Sequence, residues 1–127
     1  MSFVGTQALA DALGKDGAGV VVSQVMPSPY NAARPIAREF ADAVKAAASQ
    51  EVQANFSSME GYVAAKLFAE GLKRAGSKPT RESLISGLES IGTQSVGGFA
   101  VSFSPTDHVA SRFVELSMLT GDGRVRT

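Results

Sequence analysis

A valine-rich run that two prolines bring to an end constrains the fold of this chain more than any other feature. Residues 19–26 read Gly-Val-Val-Val-Ser-Gln-Val-Met, and Pro27-Ser28-Pro29 follows directly. β-Branched residues favour a strand over a helix, and a first half that is apolar on both faces predicts an interior strand of a sheet. The two prolines predict an extended, stiff connector, which we interpret as a crossing between domains.

Four other segments have the apolar periodicity of α-helices, because their apolar residues recur every three or four positions. The predicted helices cover residues 7–13, 35–48, 57–75 and 81–91. Hydroxyl residues stand where N-caps are preferred in three of these helices. The predicted caps are Thr6, Ser57 or Ser58, and Thr80.

Two of these helices carry more specific expectations. The first has one predicted packing face, which consists of Ala8, Leu9, Ala12 and Leu13. The third is apolar over a stripe wide enough that we expect the helix to be largely buried. Gly61 within it costs about 1 kcal/mol relative to alanine, so we expect it to permit the close approach of another backbone.

Two segments in the second half of the chain alternate between apolar and smaller or polar residues, which predicts strands. Residues 99–103 form the first, and Gly97-Gly98 predicts a tight entry into it. Residues 111–120 form the second, and Gly121-Asp122-Gly123 predicts a tight turn after it. Helices and strands together predict an α/β or α+β fold.

Composition excludes several classes of protein. The 12 Lys and Arg residues balance 12 Asp and Glu residues, so the chain lacks the basic field of a nucleic-acid-binding protein. No apolar run approaches the roughly 20 residues of a membrane span. Because cysteine is absent and His108 is the only histidine, we predict no metal site of thiolates or paired histidines and no cofactor. The first residues lack the pattern of a signal peptide, so either the protein is not exported or its true N-terminus is missing.

We find no recognisable catalytic constellation in the sequence and predict that the protein is not an enzyme. Asp107-His108 could supply half of an acid–base pair near neutral pH, but no nucleophile accompanies it. A solvent-facing loop histidine is therefore the favoured interpretation. Gly14, Gly17 and Gly19 close a helix and open a strand, which is the wrong order for a phosphate-binding loop.

Residues near the proline connector have alternative interpretations. Tyr30 either lines a ligand cleft or caps the core, and the second is the more common fate of a loop aromatic residue. Arg34 and Arg38 either form a small basic face or belong to a solvated helix face. We favour the solvated face, because acidic residues are interleaved with the two arginines.

An ordered series of segments, which covers almost the whole chain, resembles the sequence of a known protein family. In order, the segments are residues 2–5, 9–14, 19–29, 58–65, 72–76, 80–84, 97–105 and 113–116, with His108 before the last. This series resembles the later part of the branched-chain amino-acid type of ABC-transporter substrate-binding proteins. The order of the segments, rather than any one motif, carries the resemblance.

The resemblance implies a partial type I periplasmic-binding-protein fold, in which two α/β lobes contain parallel sheets flanked by helices. Residues 1–28 would be a piece of the C-terminal lobe, residues 29–111 the helical part of the N-terminal lobe, and residues 112–127 a closing strand that returns to the C-terminal lobe. Two lobes of ~100–200 residues each exceed this chain. We therefore expect a C-terminal fragment that lacks most of both parallel sheets.

The resemblance also implies a function. The parent would be a periplasmic receptor that binds an amino acid of the branched-chain type, or a related small organic acid, between its lobes and serves the membrane permease of an ABC importer. Ser2 and Tyr30 are the positions that the resemblance places near the ligand. We expect the isolated fragment not to bind tightly, and its exposed strand edges predict a dimer or a segment swap.

Two other classes of function stay open at this point. The chain could be a small cytosolic metabolite-sensing or regulatory α/β domain, which would have a complete gene of this length and a cleft with perturbed ionisable groups. A purely structural interaction module has only the low charge and the apolar third helix in its favour.

Overall fold

Helices and strands mix along the chain, as the sequence predicts. The structure is a computed structural model that describes residues 4–47 and 51–127. The helices are α1 (Thr6–Leu13), α2 (Pro35–Ala46), α3 (Phe56–Ala75) and α4 (Arg81–Glu89), and the strands are β1 (Val21–Gln24), β2 (Thr93–Val96), β3 (Phe99–Ser102), β4 (Glu115–Leu119) and β5 (Val125–Arg126). Within the described ranges, no helix is long and apolar enough to cross a membrane.

The chain divides into two compact units. The first unit comprises Met1–Met59 and Phe113–Thr127, and the second comprises Glu60–Arg112. Every strand pair lies within one of the units and is antiparallel in the described residues. The assignment of residues 1–28, 29–111 and 112–127 to the lobes of a larger protein stays a prediction.

The first unit contains a three-stranded sheet in the order β1-β4-β5. The alternation predicted for residues 111–120 appears in β4, where Ser117 and Leu119 are buried while Leu116 and Met118 are exposed. Met118 pairs with Val21, which is exposed on the same side of the sheet. We call this side, with Val21, Leu116 and Met118, the outer face.

Helix α1 lies on the first unit in a different rotation from the one predicted. The helix begins without a side-chain cap, and the Thr6 hydroxyl is buried, where it accepts a hydrogen bond from the Gln24 side-chain amide. A buried amide requires such a partner, and this pairing directs Thr6 and Ala10 inward. The predicted packing face is consequently wrong. Its residues Ala8, Ala12 and Leu13 are exposed and Leu9 is half-buried.

Helices α2 and α3 both begin with residues that favour a helix N-terminus. Pro35 occupies the first turn of α2, as predicted, and the helix buries Ile36, Ala37 and Phe40. Asn55 takes the capping position of α3, because its Oδ1 accepts a hydrogen bond from the Ser58 backbone N–H at 2.9 Å. The predicted serine caps are therefore wrong by two or three residues.

Two glycines allow close helix packing in the second unit, and neither is Gly61. A Cβ added at Gly87 of α4 would lie 2.5 Å from the Gly71 carbonyl oxygen of α3, so the two backbones approach directly. A Cβ at Gly61 would meet nothing within 4 Å. The expected role of Gly61 is therefore wrong. Because Phe68 is 51% exposed, the expected burial of α3 on most sides is wrong as well.

The second unit also contains the hairpin β2–β3, whose first strand the sequence did not predict. Gly97 and Gly98 form a two-residue turn with φ of 56° and 85°, the positive values that a type I′ hairpin requires. Phe99 and Val101 are buried, and Ala100 and Ser102 are exposed, as the alternation predicts. Thr80 caps α4 in a capping box with Ser83, which confirms that prediction.

Candidate functional site

The proline connector leaves β1 and presents an aromatic residue at the surface of the first unit. Pro27, Ser28 and Pro29 are buried, whereas Tyr30 is 48% exposed. The Tyr30 backbone N–H donates to Ser28 Oγ at 3.4 Å, and the Asn31 N–H donates to the Ser28 carbonyl oxygen. This turn anchors the connector from inside and directs the tyrosine outward.

Tyr30 meets a second aromatic residue, Phe56, at the start of α3. The ring centroids lie 6.0 Å apart with an interplanar angle of 86°, an edge-to-face arrangement that aromatic pairs prefer. Partial burial raises the pKa of the Tyr30 hydroxyl above its ordinary value. The hydroxyl therefore stays protonated through the neutral range, where it can both donate and accept a hydrogen bond.

Arg34 is held in place by one side chain at the start of β4 and another just before that strand. Its Nη2 donates to Glu115 Oε1 at 3.0 Å, and its guanidinium carbon lies 5.7 Å from the centroid of the Phe113 ring. The solvated face favoured for Arg34 is therefore wrong, because an ion pair and a cation–π contact both hold it. Arg38 is exposed and donates to the Ala32 carbonyl oxygen at 2.8 Å.

Two buried oxygens near this ion pair have no hydrogen-bond partner in the described structure. They are Glu115 Oε2 and Ser117 Oγ, both on β4. A buried polar group without a partner costs about 1–3 kcal/mol, so each oxygen calls for a donor from water or a ligand. Glu115 is a site residue that was not predicted from the sequence. Its signal was a charged residue on the same side of the alternating strand as Ser117 and Leu119.

The two predicted site residues have different outcomes. Tyr30 lies at the connector as described and contacts Phe56. Ser2 lies outside the described residues. The structure therefore brings no second predicted contact to Tyr30, but it adds Phe56, Arg34 and Glu115 as side chains of the first unit. We call these four described residues, which form the separate pairs Tyr30–Phe56 and Arg34–Glu115, the connector cluster.

The Asp107-His108 motif does not form an acid–base pair in the second unit. His108 is 62% exposed, and its Nε2 lies 2.9 Å from Glu89 Oε1. Asp107 instead accepts hydrogen bonds from the Val109 backbone N–H and from Arg112, which lower its carboxyl pKa. The geometry matches the loop histidine favoured from sequence.

The glycine-rich segments serve as turns. Gly14 ends α1, and its N–H donates to the Ala10 carbonyl oxygen. Gly123, with φ of 76°, lies in the turn between β4 and β5, and its N–H donates to the Thr120 carbonyl oxygen. Among the residues that the structure describes, no group of three or more acidic or histidine side chains could hold a metal ion.

Sequence comparison decides the family of the chain. A family profile described as periplasmic binding protein matches residues 1–124. The chain belongs to this periplasmic binding protein family. No curated protein matches it.

Solved structures of family members superimpose closely on the chain. A possible leucine/isoleucine/valine-binding protein from Rhodopirellula baltica SH 1 matches with a TM-score of 0.90 and 30% identity, over 98% of this chain and 33% of its own. A substrate-binding periplasmic protein from Ralstonia solanacearum matches at 0.85 and 36%, over 98% and 36% of the two chains. An extracellular ligand-binding receptor from Verminephrobacter eiseniae ef01-2 matches at 0.83 and 30%, over 99% and 36%.

These matches define both the fold and its extent. The chain has part of the type I periplasmic binding protein fold and spans about a third of the length of the structures it matches. The family and these neighbours are binding proteins, which supports a solute-binding role.

Proposed function

We propose that this chain is part of a periplasmic receptor that binds a branched-chain amino acid, or a related small organic acid, for an ABC importer. The observation that carries the proposal is the match over 98% of the chain to a possible leucine/isoleucine/valine-binding protein. In this proposal the receptor is not an enzyme. It closes two lobes around the ligand by a hinge motion and delivers the ligand to a membrane permease.

The connector cluster is the part of the ligand site that we assign to this chain. The Tyr30 hydroxyl can donate to a carboxylate, and the Tyr30–Phe56 pair offers apolar surface to an aliphatic side chain. Glu115, whose Oε1 accepts from Arg34, has its buried Oε2 without a donor in the described structure, and a water or a ligand N–H group that reached it would satisfy it. Ser2 remains a proposed contact from the resemblance.

The outer face supports the proposal that further residues complete the receptor. Val21 and Leu116 are 58% and 64% exposed on this face, and a soluble protein rarely leaves adjacent apolar residues on a sheet uncovered. We therefore propose that the isolated chain does not bind the ligand tightly. We also propose that it associates with a second copy, or exchanges a segment with it, across its open sheet.

A chimaera with a relative tests the proposed function. The chain would replace the corresponding third of the Ralstonia solanacearum protein, and ligand-induced thermal shifts would be recorded with leucine, isoleucine, valine and aromatic acids. We expect the chimaera to be stabilised by at least one of these amino acids. Calorimetry on the isolated 127-residue chain should show no micromolar binding of the same compounds.

Variants within the chimaera test the assigned residues. Tyr30→Phe removes only the hydroxyl, and we expect weaker ligand binding with unchanged stability of the unliganded protein. Lys15→Gln, on the surface of the first unit, is a control that should leave binding unchanged. A chimaera that folds but responds to none of the compounds, while the intact Ralstonia protein responds to one, would contradict the proposal.

A cytosolic metabolite-sensing domain has less support. It calls for a cleft with perturbed ionisable groups, but each carboxyl group with a lowered pKa is half-buried or exposed and is paired with residues no more than five positions away in the chain. They are Glu70, Asp107 and Asp122.

A further inference from the structure

The chain passes between its two units at two points. The first passage is the Met59–Glu60 bond, and the second passage is the Arg112–Phe113 bond. Helix α3 runs without a break through the first passage, so the chain is hydrogen-bonded as a helix there. The second passage lies in residues 108–114, which form neither helix nor strand. The first unit therefore has two kinds of segment to hold where the chain leaves it and returns to it.

The first passage begins at the aromatic pair of the connector cluster. Phe56 is the first residue of α3 and lies three positions before Met59. Both residues are buried. The Tyr30 ring meets the Phe56 ring edge to face, with the centroids 6.0 Å apart. Tyr30 thus packs against the residue at which the helix of the first passage starts.

The second passage ends at residues that Arg34 contacts. Phe113 is the first residue of the first unit after this passage, and Glu115 begins β4 two positions later. The Arg34 guanidinium carbon lies 5.7 Å from the centroid of the Phe113 ring, and Arg34 Nη2 donates to Glu115 Oε1 at 3.0 Å. One side chain therefore holds the returning chain at two positions, by a cation–π contact and by a charge-assisted hydrogen bond.

A series of hydrogen-bonded turns links Tyr30 to Arg34. The Tyr30 backbone N–H donates to Ser28 Oγ, and the Asn31 N–H donates to the Ser28 carbonyl oxygen. The Asn31 carbonyl oxygen then accepts from the Arg34 backbone N–H at 3.0 Å, and Asn31 Oδ1 accepts from the Ala33 N–H at 3.1 Å. An asparagine side chain that bonds the backbone two residues on stabilises a turn. Residues 28–34 are consequently held in one conformation by their own hydrogen bonds.

We propose that Tyr30 and Arg34 are two anchors that fix both passages of the chain to the first unit. This inference does not depend on the proposed solute-binding function, because it concerns only contacts within the first unit. Tyr30 positions the start of α3, and Arg34 positions the segment that leads into β4. A hinge consists of a few residues whose backbone dihedral angles change. The anchors would exclude Phe56 and Phe113 from that role.

A comparison with Arg38 supports a long-range role for Arg34. Arg38 donates to the backbone carbonyl oxygens of Ala32 and Ala33, which lie in its own part of the chain. Arg34 instead reaches Glu115, which is 81 residues away in sequence. Stabilising the start of α2 does not require so distant a partner, whereas holding the second passage does.

Limited proteolysis of the full chain tests both anchors. Trypsin cleaves after Arg112, at the second passage, and chymotrypsin cleaves after Phe56, near the first. Cleavage follows the population of the locally open form when opening and closing are fast. We expect Arg34→Gln to accelerate cleavage after Arg112 about tenfold, because a partly exposed ion pair and a cation–π contact are both lost. Tyr30→Ala should accelerate cleavage after Phe56 by a similar factor, because the aromatic pair is lost.

Glu115→Gln gives a graded test of the second anchor. It removes the charge of the ion-pair partner but leaves Arg34 beside the Phe113 ring. We therefore expect cleavage after Arg112 to accelerate only about threefold. Lys45→Gln, on the exposed side of α2, is the matched control and should leave this rate unchanged.

Cleavage within α2 separates anchoring from a general loss of stability. Trypsin after Arg38 and chymotrypsin after Phe40 both require this helix to unfold. Tyr30→Phe keeps the aromatic ring and should leave cleavage after Phe56 unchanged. The proposal is overturned if Arg34→Gln or Tyr30→Ala does not accelerate cleavage at its own passage. It is also overturned if either variant accelerates cleavage within α2 by the same factor, or if Tyr30→Phe acts like Tyr30→Ala.

Discussion

The two units of the chain differ in which side chains their strands bury and expose. In the second unit, β3 buries Phe99 and Val101 and exposes the small residues Ala100 and Ser102, so this strand needs cover on one side only. In the first unit, β4 buries Ser117 and Leu119 but exposes Leu116 and Met118. A strand that is apolar on both faces is typical of a sheet covered on both sides. Strand β3 of the second unit thus buries one apolar face, whereas β4 of the first unit leaves apolar side chains exposed on its second face.

The largest effect we expect comes from the two faces of β4. Leu119 is 1% exposed and Leu116 is 64% exposed on the same strand. Leu119→Ala should lower the free energy of unfolding by about 3 kcal/mol, because it leaves a cavity in the core. Leu116→Ala should change it by less than about 0.5 kcal/mol, since a surface truncation creates no cavity. Urea unfolding followed by circular dichroism measures both.

The same pair of variants tests whether the outer face is a contact surface. Light scattering at high protein concentration should show less self-association for Leu116→Ala than for the unchanged chain. If Leu116→Ala proves as destabilising as Leu119→Ala in a monomeric sample, the outer face is covered within the chain and the contrast between the units fails.

We expect a smaller effect on the free energy of unfolding when alanine replaces either of two helical glycines, which differ in their surroundings. Gly87→Ala places a Cβ 2.5 Å from the backbone oxygen of Gly71, so α3 and α4 must separate, at a cost of about 2 kcal/mol. Gly61→Ala meets nothing within 4 Å and should stabilise α3 by up to about 1 kcal/mol through helix propensity. Opposite signs in urea unfolding would support direct helix packing in the second unit. A neutral Gly87→Ala would contradict it.

Local patterns predicted much of this fold, and long-range contacts account for the failures. Periodicity identified four helices, and alternation identified β3 and β4. It missed β2, because Thr-Gln-Ser-Val lacks a clear apolar face and becomes a strand by pairing with β3 across a glycine turn. The rotation of α1 was wrong because the buried bond from Gln24 to Thr6 joins residues 18 positions apart. A rule that considers only neighbouring residues cannot predict a contact over that separation in sequence.

The candidate site was less predictable than the fold. The proline pair predicted the connector in which Tyr30 lies. The aromatic partner of Tyr30, Phe56, comes from a different element, α3. Arg34 looked solvated from its helical neighbours, whereas its ion-pair partner Glu115 is 81 residues away in sequence. Only the fold brings side chains this distant in sequence together, so their pairing cannot be predicted from one sequence.

The smallest effect concerns the two hairpin turns, which differ in their response to pH. In the turn between β4 and β5, a hydrogen bond from the Thr120 hydroxyl lowers the pKa of Asp122, with further contributions from Arg124. A folded-state pKa below the unfolded value stabilises the hairpin above the unfolded pKa, and this stability is lost as pH falls through the folded pKa. The glycine turn between β2 and β3 contains no ionisable side chain.

We therefore expect low pH to destabilise the β4–β5 hairpin before the β2–β3 hairpin. Below about pH 4, where aspartate normally titrates, amide exchange should accelerate at β5 before it does at β2 and β3. Asp122→Asn should remove most of this pH dependence, because the amide cannot ionise, whereas Asp16→Asn in the same unit should leave it in place. If both hairpins lose protection together in the Asp122→Asn variant and in the unchanged chain alike, the two turns do not differ in the way their side chains indicate.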